Sequence, residues 1–237
     1  MPRKHLIASA INKKQQQQSK VALKCVREIK AAVKVGGPNP DANPRLKAAI
    51  ARALQCNLTR DTIQRNISSS QKDNEQLKEV TYEGYGPKGI AIIIKALTDN
   101  EQRTVSNIRG YFSKLHGELS KPNSVKMLFE EYGQIIIEKT NDISEDIILE
   151  KTIDFNIVDL RQDETAFEIL TTPKDFYDVK NIFDELNINI FSAEIKLIPN
   201  SYIDVTEEED AAIEKFMNSC EDDDDIQWVV NNVGDVI

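Results

Sequence analysis

Apolar and polar positions recur along the chain with two different periods, and the change between them divides it. Before about residue 67 the apolar residues keep a helical spacing. In Lys20–Val35, Ala22, Val26, Ile29 and Val33 share one face, while Lys20, Lys24, Arg27 and Lys34 fall within one arc opposite, with Lys30 beside it. Gly36-Gly37-Pro38 stops this helix. Asn43 is placed to cap a second helix with Pro44 at its first position. Leu46, Ile50, Ala53 and Leu54 form its apolar stripe, and Arg45, Lys47 and Arg52 are left to solvent. Thr59 is placed to cap a third helix carrying Arg60 and Arg65, with Leu58 and Ile63 at hydrophobic-staple spacing. Three short helices with complementary stripes make a small bundle. The polar run Ser68–Lys78 then reads as a linker.

From Val80 onward short apolar runs alternate with helical stretches. Tyr82-Glu83-Gly84-Tyr85-Gly86-Pro87-Lys88-Gly89 reads as a shaped loop, because glycine admits positive φ and proline fixes φ. Ile90–Leu97 suits a strand buried on both faces, and Thr98-Asp99-Asn100 ends it and caps the next helix. That helix runs to about His116 on a stripe of Val105, Ile108, Phe112 and Leu115, and Ser124–Phe129 is expected to be a strand. Gly133–Pro199 reads as an independent unit. Strands are expected at Ile135–Glu138, Phe155–Leu160, Ala166–Thr171 and Ala193–Ile198. Helices are expected at Ser144–Lys151 and after Thr172-Pro173, the latter with Phe176, Val179, Phe183 and Leu186 on one face. The order βαββαβ is ferredoxin-like. Thr206 to Glu209 has the pattern of a capping box opening a last helix, with Ile213, Phe216, Met217 and Cys220 inward, and Ile226–Val230 reads as a closing strand.

The fold expected is therefore α+β. A basic helical domain with an N-terminal arm occupies 1–78. A discontinuous central α+β domain occupies 79–132 plus 205–237, and a ferredoxin-like α+β domain, 133–204, is inserted into it.

Charge sharpens this division. The net charge of −9 hides sixteen Lys/Arg against five Asp/Glu in residues 1–78, with the rest of the chain strongly acidic. Such asymmetry suits a basic segment for polyanions beside an acidic body, although pairing of the two across the domains would produce the same totals. Residues 1–19, with Lys13, Lys14 and four glutamines, read equally as an arm that orders on nucleic acid or as a terminus without a role. The run Glu221-Asp222-Asp223-Asp224-Asp225 lacks the spacing and glycine of a calcium loop and is expected to be a solvated turn.

Catalytic signatures are missing: no G-x-S-x-G, P-loop, H-E-x-x-H or G-x-G-x-x-G occurs. Two histidines and three scattered cysteines, Cys25, Cys56 and Cys220, argue against a zinc site and for buried thiols in a reducing compartment. No cofactor, metal, small-molecule substrate or membrane partner is expected, and a cytoplasmic monomer is. The start has no signal-peptide core, and its basic, acid-free stretch is read as leading into the first helix in preference to a mitochondrial presequence. Lys88 and the amides of Tyr85–Gly89 could meet phosphate, or the loop could be an ordinary turn.

Several blocks resemble the YebC/PmpR family: GGPNPDANPRLKAAIARALQCNLTRDTIQRNI, YEGYGPKGIAIIIKALTDN followed by Arg103-Thr104, NIRGYFSKLHGELS and LIPNSYIDVTEEEDAAIEKFMNSCEDDDDIQWVVNN. The start departs from the family pattern. Pro2-Arg3-Lys4-His5-Leu6 stands where G-H-S-K-W is usual, and glutamines follow Lys13-Lys14. The resemblance implies a helical domain followed by two α+β domains. It also implies non-catalytic nucleic-acid binding, as DNA-binding transcriptional regulators or as ribosome-associated translation factors that relieve stalling at proline runs. The residues expected to contact phosphate are Lys13, Lys14, Lys20, Lys24, Arg27, Lys34, Arg45, Lys47, Arg52, Arg60 and Arg65. Tyr85, Lys88 and Arg103 are expected near RNA or the ribosome.

Overall fold

A computed structural model describes residues 18–70, 77–140 and 142–236. The described chain is α+β and falls into two compact units, one of Met127–Tyr202 and the other of the residues on either side of it.

The flanking unit opens with three helices, α1 (Gln18–Gly36), α2 (Pro44–Gln55) and α3 (Arg60–Ser70). They close on Cys25, Ile29, Ala32, Val33, Leu46, Ala49, Ala53, Ile63 and Ile67. Asn43 does more than cap α2. Its Oδ1 accepts from Leu46 N at 3.0 Å, and its Nδ2 donates to Ala32 O at 2.8 Å and Gly37 O at 2.9 Å. One buried amide thus ties the start of α2 to the end of α1. Thr59 Oγ1 accepts from Thr62 N at 3.3 Å at the start of α3. The expected linker is overturned in its first part: Ser68, Ser69 and Ser70 are helical, and Ser70 is buried. The serine hydroxyls of Ser69 and Ser70 donate back to Asn66 O, so they join the helix without leaving it.

The same unit continues with β1 (Lys78–Tyr85), β2 (Ala91–Thr98), α4 (Glu101–Lys114) and β3 (Glu118–Leu119). After the other unit it resumes with β8 (Ile203–Val205), α7 (Glu207–Asp222), β9 (Ile226–Asn231) and β10 (Val233–Val236). Its main sheet has the order β3-β1-β2-β9, so β9, laid down after the other unit, returns to pair with β2 at the edge of the sheet. Helices α4 and α7 cover one face through Ile108, Phe112, Ile213, Phe216 and Cys220, packed on Ile90, Ile92, Ile94 and Ile226. The Phe112 and Phe216 rings meet edge-on at 5.1 Å. The expected caps occur at Asn100 and in the Thr206–Glu209 capping box.

Tyr82–Tyr85 corrects the reading of a loop. These residues belong to β1, which is paired on both sides with β2 and β3. Gly84 is there for closeness and not for a turn: a Cβ would sit 2.5 Å from the Phe112 ring and 2.5 Å from Glu118 O. Only Pro87–Gly89 turns, as a short 3₁₀ segment with Lys88 at φ 55° and Gly89 at φ 79°. Of the strand expected at Ser124–Phe129, only Phe129 is in one. Glu83, buried within β1, accepts from the amides of Asn123, Val125 and Lys126 at 2.8, 2.7 and 3.0 Å, which bends that stretch around its carboxylate.

Met127–Tyr202 contains β4 (Phe129–Glu138), α5 (Glu145–Lys151), β5 (Ile157–Gln162), β6 (Ala166–Thr171), α6 (Phe176–Glu185) and β7 (Ile190–Pro199). Its antiparallel sheet has the order β5-β6-β4-β7, the ferredoxin-like arrangement. Ile135, Ile137, Phe167, Ile169, Phe176, Val179 and Phe183 fill its core. Leu186, expected inward, is 44% exposed, because it lies past the end of α6 as its C-cap. No helix among the described residues is long and apolar enough to cross a membrane.

Substituting Gly84→Ala forces an extra methyl against a fully buried ring and a backbone carbonyl. The expected cost is about 2 kcal/mol, seen as a lower urea midpoint at unchanged m-value. An unchanged midpoint would show that β1 and α4 are not packed this closely.

Candidate nucleic-acid interface

Residues 18–70 carry ten Lys/Arg against three Asp/Glu. The fold divides these cations into a set turned inward and a set left outside.

The inward set centres on Asp225, whose side chain is 4% exposed. Arg27 Nη1 of α1 donates to its Oδ1 at 2.7 Å and to Leu97 O at 3.3 Å. Arg103 Nη2 of α4 donates to Oδ2 at 2.7 Å and also to Asp99 Oδ1 at 2.7 Å. The hydroxyls of Thr98 and Thr104 donate to the same Oδ2 at 3.2 and 2.9 Å. Burial opposes ionisation of Asp225, but the hydrogen bonds from Arg103, Arg27 and Thr104 outweigh it and hold its pKa below the usual carboxylate value. The bond to Asp225, and then that to Asp99, raise the Arg103 pKa further.

The acidic run is therefore not a solvated turn throughout. Asp223 accepts from Tyr111 Oη at 2.9 Å and Asn107 Nδ2 at 3.1 Å, and Asp225 is buried. Lys24, one helical turn before Arg27, lies in the field of Glu221, Asp223 and Asp224. Burial lowers its pKa in spite of their pull. The α1 face carrying Lys24 and Arg27 thus meets the protein's own carboxylates. The α1 stripe is correspondingly rotated from the expected one: Cys25, Ile29, Ala32 and Val33 are buried, while Ala22 and Val26 are only half-buried.

A second inward group surrounds Glu79. Arg45 bridges Glu28 at 2.8 Å and Glu79 at 2.6 Å, and Lys95 reaches Glu79 at 2.6 Å. Burial works against the Glu79 carboxylate, and Lys95 and Arg45 reverse this and lower its pKa.

The Tyr85–Gly89 loop is a structural turn. The amides of Gly86, Gly89 and Ile90 donate to Ile90 O, Gly86 O and Pro87 O, and so are not aimed outward at a phosphate. Lys88 Nζ lies 2.8 Å from Glu209 of the capping box, and Tyr85 Oη donates to Ser124 O at 2.9 Å.

The outward set is Lys34, Lys47, Arg52, Arg60 and Arg65, all exposed. Lys47, Arg60 and Arg65 form no ion pair among the described residues. Lys13 and Lys14 lie outside the described residues, as does the side chain of Lys20. No group of three or more His, Cys, Asp or Glu among the described residues could hold a metal ion.

The profile for the "TACO1/YebC protein N-terminal domain" matches residues 2–73, and that for the "TACO1/YebC second and third domain" matches 77–233. The chain belongs to the TACO1/YebC family. Among TACO1/YebC relatives, one from Ureaplasma urealyticum is 59% identical over 98% of both chains, and one from Clostridium tetani is 38% identical over 96% of this chain and 94% of its own. Both bear the name "probable transcriptional regulatory protein". The crystal structure of a conserved hypothetical protein from Aquifex aeolicus superposes with a TM-score of 0.78 at 37% identity, covering 94% of this chain and 92% of that one.

Sequence reasoning missed the role of Asp225 in this TACO1/YebC protein. The available signal was a lone carboxylate directly before an apolar strand, in a run whose other acids precede it. That signal is too weak to separate one buried aspartate from four neighbours.

Asp225→Asn removes a charge that two arginines share and is expected to cost about 2 kcal/mol. This is below the usual loss for a buried pair, because both arginines keep part of their surface in water. Because its folded pKa is depressed, Asp225 stabilises the protein fully above its unfolded value of about 3.9, and that stabilisation is lost as pH falls through the folded pKa. Thermal unfolding followed from pH 6 to pH 2 should therefore show a steeper loss below about pH 4 for the wild type than for Asp225→Asn. Parallel curves would exclude this carboxylate as the acid-sensitive lock.

Proposed function

We propose that this chain is a regulator of gene expression that works by binding nucleic acid, without catalysis, and that its first target is duplex DNA controlling transcription. The observation that carries the reading is the outward set of cations on the helical segment, Lys47, Arg60 and Arg65 with Lys34 and Arg52. They stand on a chain whose net charge is −9. On an acidic protein, a cluster of exposed cations on one small helical segment gives that segment a local affinity for polyanions that the net charge of the chain hides. The names of its relatives support the same reading. In this reading Arg27, Arg45, Arg103 and Lys88 serve the fold, and the outward set serves phosphate.

The test is the salt dependence of binding to a mixed-sequence DNA duplex. Each phosphate neutralised contributes about 0.9 to the slope of log K against log salt. Lys47→Glu, Arg60→Glu and Arg65→Glu together should lower affinity and reduce the slope by about 3. Unchanged affinity and slope would sink the assignment of these residues. Ribosomal RNA would meet the same cations, so ribosomes are offered in competition: protein retained on ribosomes against excess duplex would move the role to translation.

A further inference from the structure

Between α1, α2 and the sheet lies a cleft of about 450 Å³. Val21, Ala48 and Ala49 line it from the helices, and Leu97, Ile226 and Trp228 line it from the sheet. The volume is that of a ligand pocket, which typically spans about 300–1,000 Å³. Two features of its floor call for an occupant.

The first is a β-bulge. Lys95 of β2 faces Trp228 of β9, but the next residue, Ala96, faces Ile226, so Gln227 is the extra residue. Bulges re-aim side chains and gather beside functional sites. Here the bulged residue lines the cleft, and its Nε2 is buried without a hydrogen-bond partner among the described residues. A buried amide donor left unpaired is costly, and the deficit is removed by an acceptor brought from outside.

The second is Trp228 itself, the single tryptophan of the chain. It is only half-buried and lines the cleft, and Lys95 Nζ lies 5.9 Å from its ring centre. Lys24, Arg45 and Arg52 line the same cleft together with Glu28, Glu79 and Glu221, so its charges are mixed. A flat π-surface and one unspent donor beside an apolar wall define the ligand by its chemistry. It is planar and carries an acceptor in its plane.

We propose that this cleft receives one unstacked base of a single nucleic-acid strand, with Trp228 stacking on the base and Gln227 donating to its in-plane acceptor. The proposal rests on the nucleic-acid reading above and adds to it a second mode of engagement. The exposed cations hold phosphates, and the cleft holds a base that a duplex keeps inside its stack. Stacking tolerates any base, so the sequence preference is weak. Single-stranded RNA and single-stranded DNA share this chemistry, and their relative affinities distinguish the source.

Because Trp228 is the only tryptophan, its fluorescence reports the cleft directly. The full chain is titrated with a short mixed-sequence RNA strand, the matching DNA strand and their DNA duplex, with total binding measured in parallel by filter retention. Saturable quenching by RNA or DNA single strands, with little by duplex, is expected. Trp228→Leu should weaken single-strand retention about tenfold and leave duplex retention unchanged, while Trp228→Phe should keep most of it. Gln227→Ala should weaken it several-fold, and together with the wild-type titration it decides the matter if Trp228→Leu fails to fold. Single strands retained with no change in fluorescence, or duplex quenching equal to theirs, would overturn the cleft as a base site and leave the nucleic-acid reading standing. Retention of neither strand nor duplex would bring down both.

Discussion

One buried carboxylate governs the arrangement of the basic segment. Asp225 sits where the turn after α7 enters β9, and its backbone carbonyl also accepts from Leu97 N at 2.7 Å. Its side chain binds Arg27 from the helical segment and Arg103 from the start of α4. Taking an aspartate out of water is expensive, and a single arginine at 2.7 Å does not reliably repay it. Two arginines and two threonine hydroxyls do, Arg27 at Oδ1 and Arg103, Thr98 and Thr104 at Oδ2. Its consequence is directional. α1 must present Arg27 to the sheet, and Lys24, three residues earlier, is carried to the same side.

This constraint gives the charge asymmetry two meanings. Part of the positive charge of the helical segment is answered inside the molecule by Asp225, Glu79 and the acids around Lys24. That part positions helices. The exposed cations outside these pairs, Lys47, Arg60 and Arg65, are the ones available to an external polyanion. A reading from net charge alone counts both kinds together, since a lysine in an ion pair and a lysine in water contribute equally to the sum.

Much of the fold was legible because its signals are local. Asn43-Pro44, Thr206 with Glu209, and Ala166–Thr171 each carry their structural instruction within a few residues, and the structure follows them. The βαββαβ order was legible from short apolar runs alternating with helical stripes and their start signals. What was not legible depends on partners distant in sequence. Gly84 looks like a turn residue until Phe112 and Glu118 press against it. Glu83 looks like a surface acid until three amides about 40 residues later converge on it. The two faces of α1 could not be told apart, because an amphipathic cationic arc predicts solvent unless an acidic neighbour is known to cover it. The candidate site was illegible at the same point: Arg27, Arg45 and Arg103 have the right charge for phosphate, and only the structure shows the carboxylates they pair with.

The sheet itself limits how fully the helices can cover it. Strand β2 is buried along its length except at Lys95, and this uniform burial explains its near-continuous apolar sequence, because an antiparallel strand with one wet face would alternate. Lys95 marks where the cover stops. Beside it the helices line the space with Val21, Ala48 and Ala49 and with the charged Lys24, Glu28, Arg45 and Arg52, and Gln227 of the bulge lines it from the sheet. A core under selection for packing alone would place larger apolar residues here, as it does around Phe112 and Phe216. The unpaired donor and the single tryptophan occur together at the one exception to the burial of β2. That coincidence is what the proposed base site rests on, and under that proposal the helical segment has a second role beyond presenting cations: forming the wall of that space.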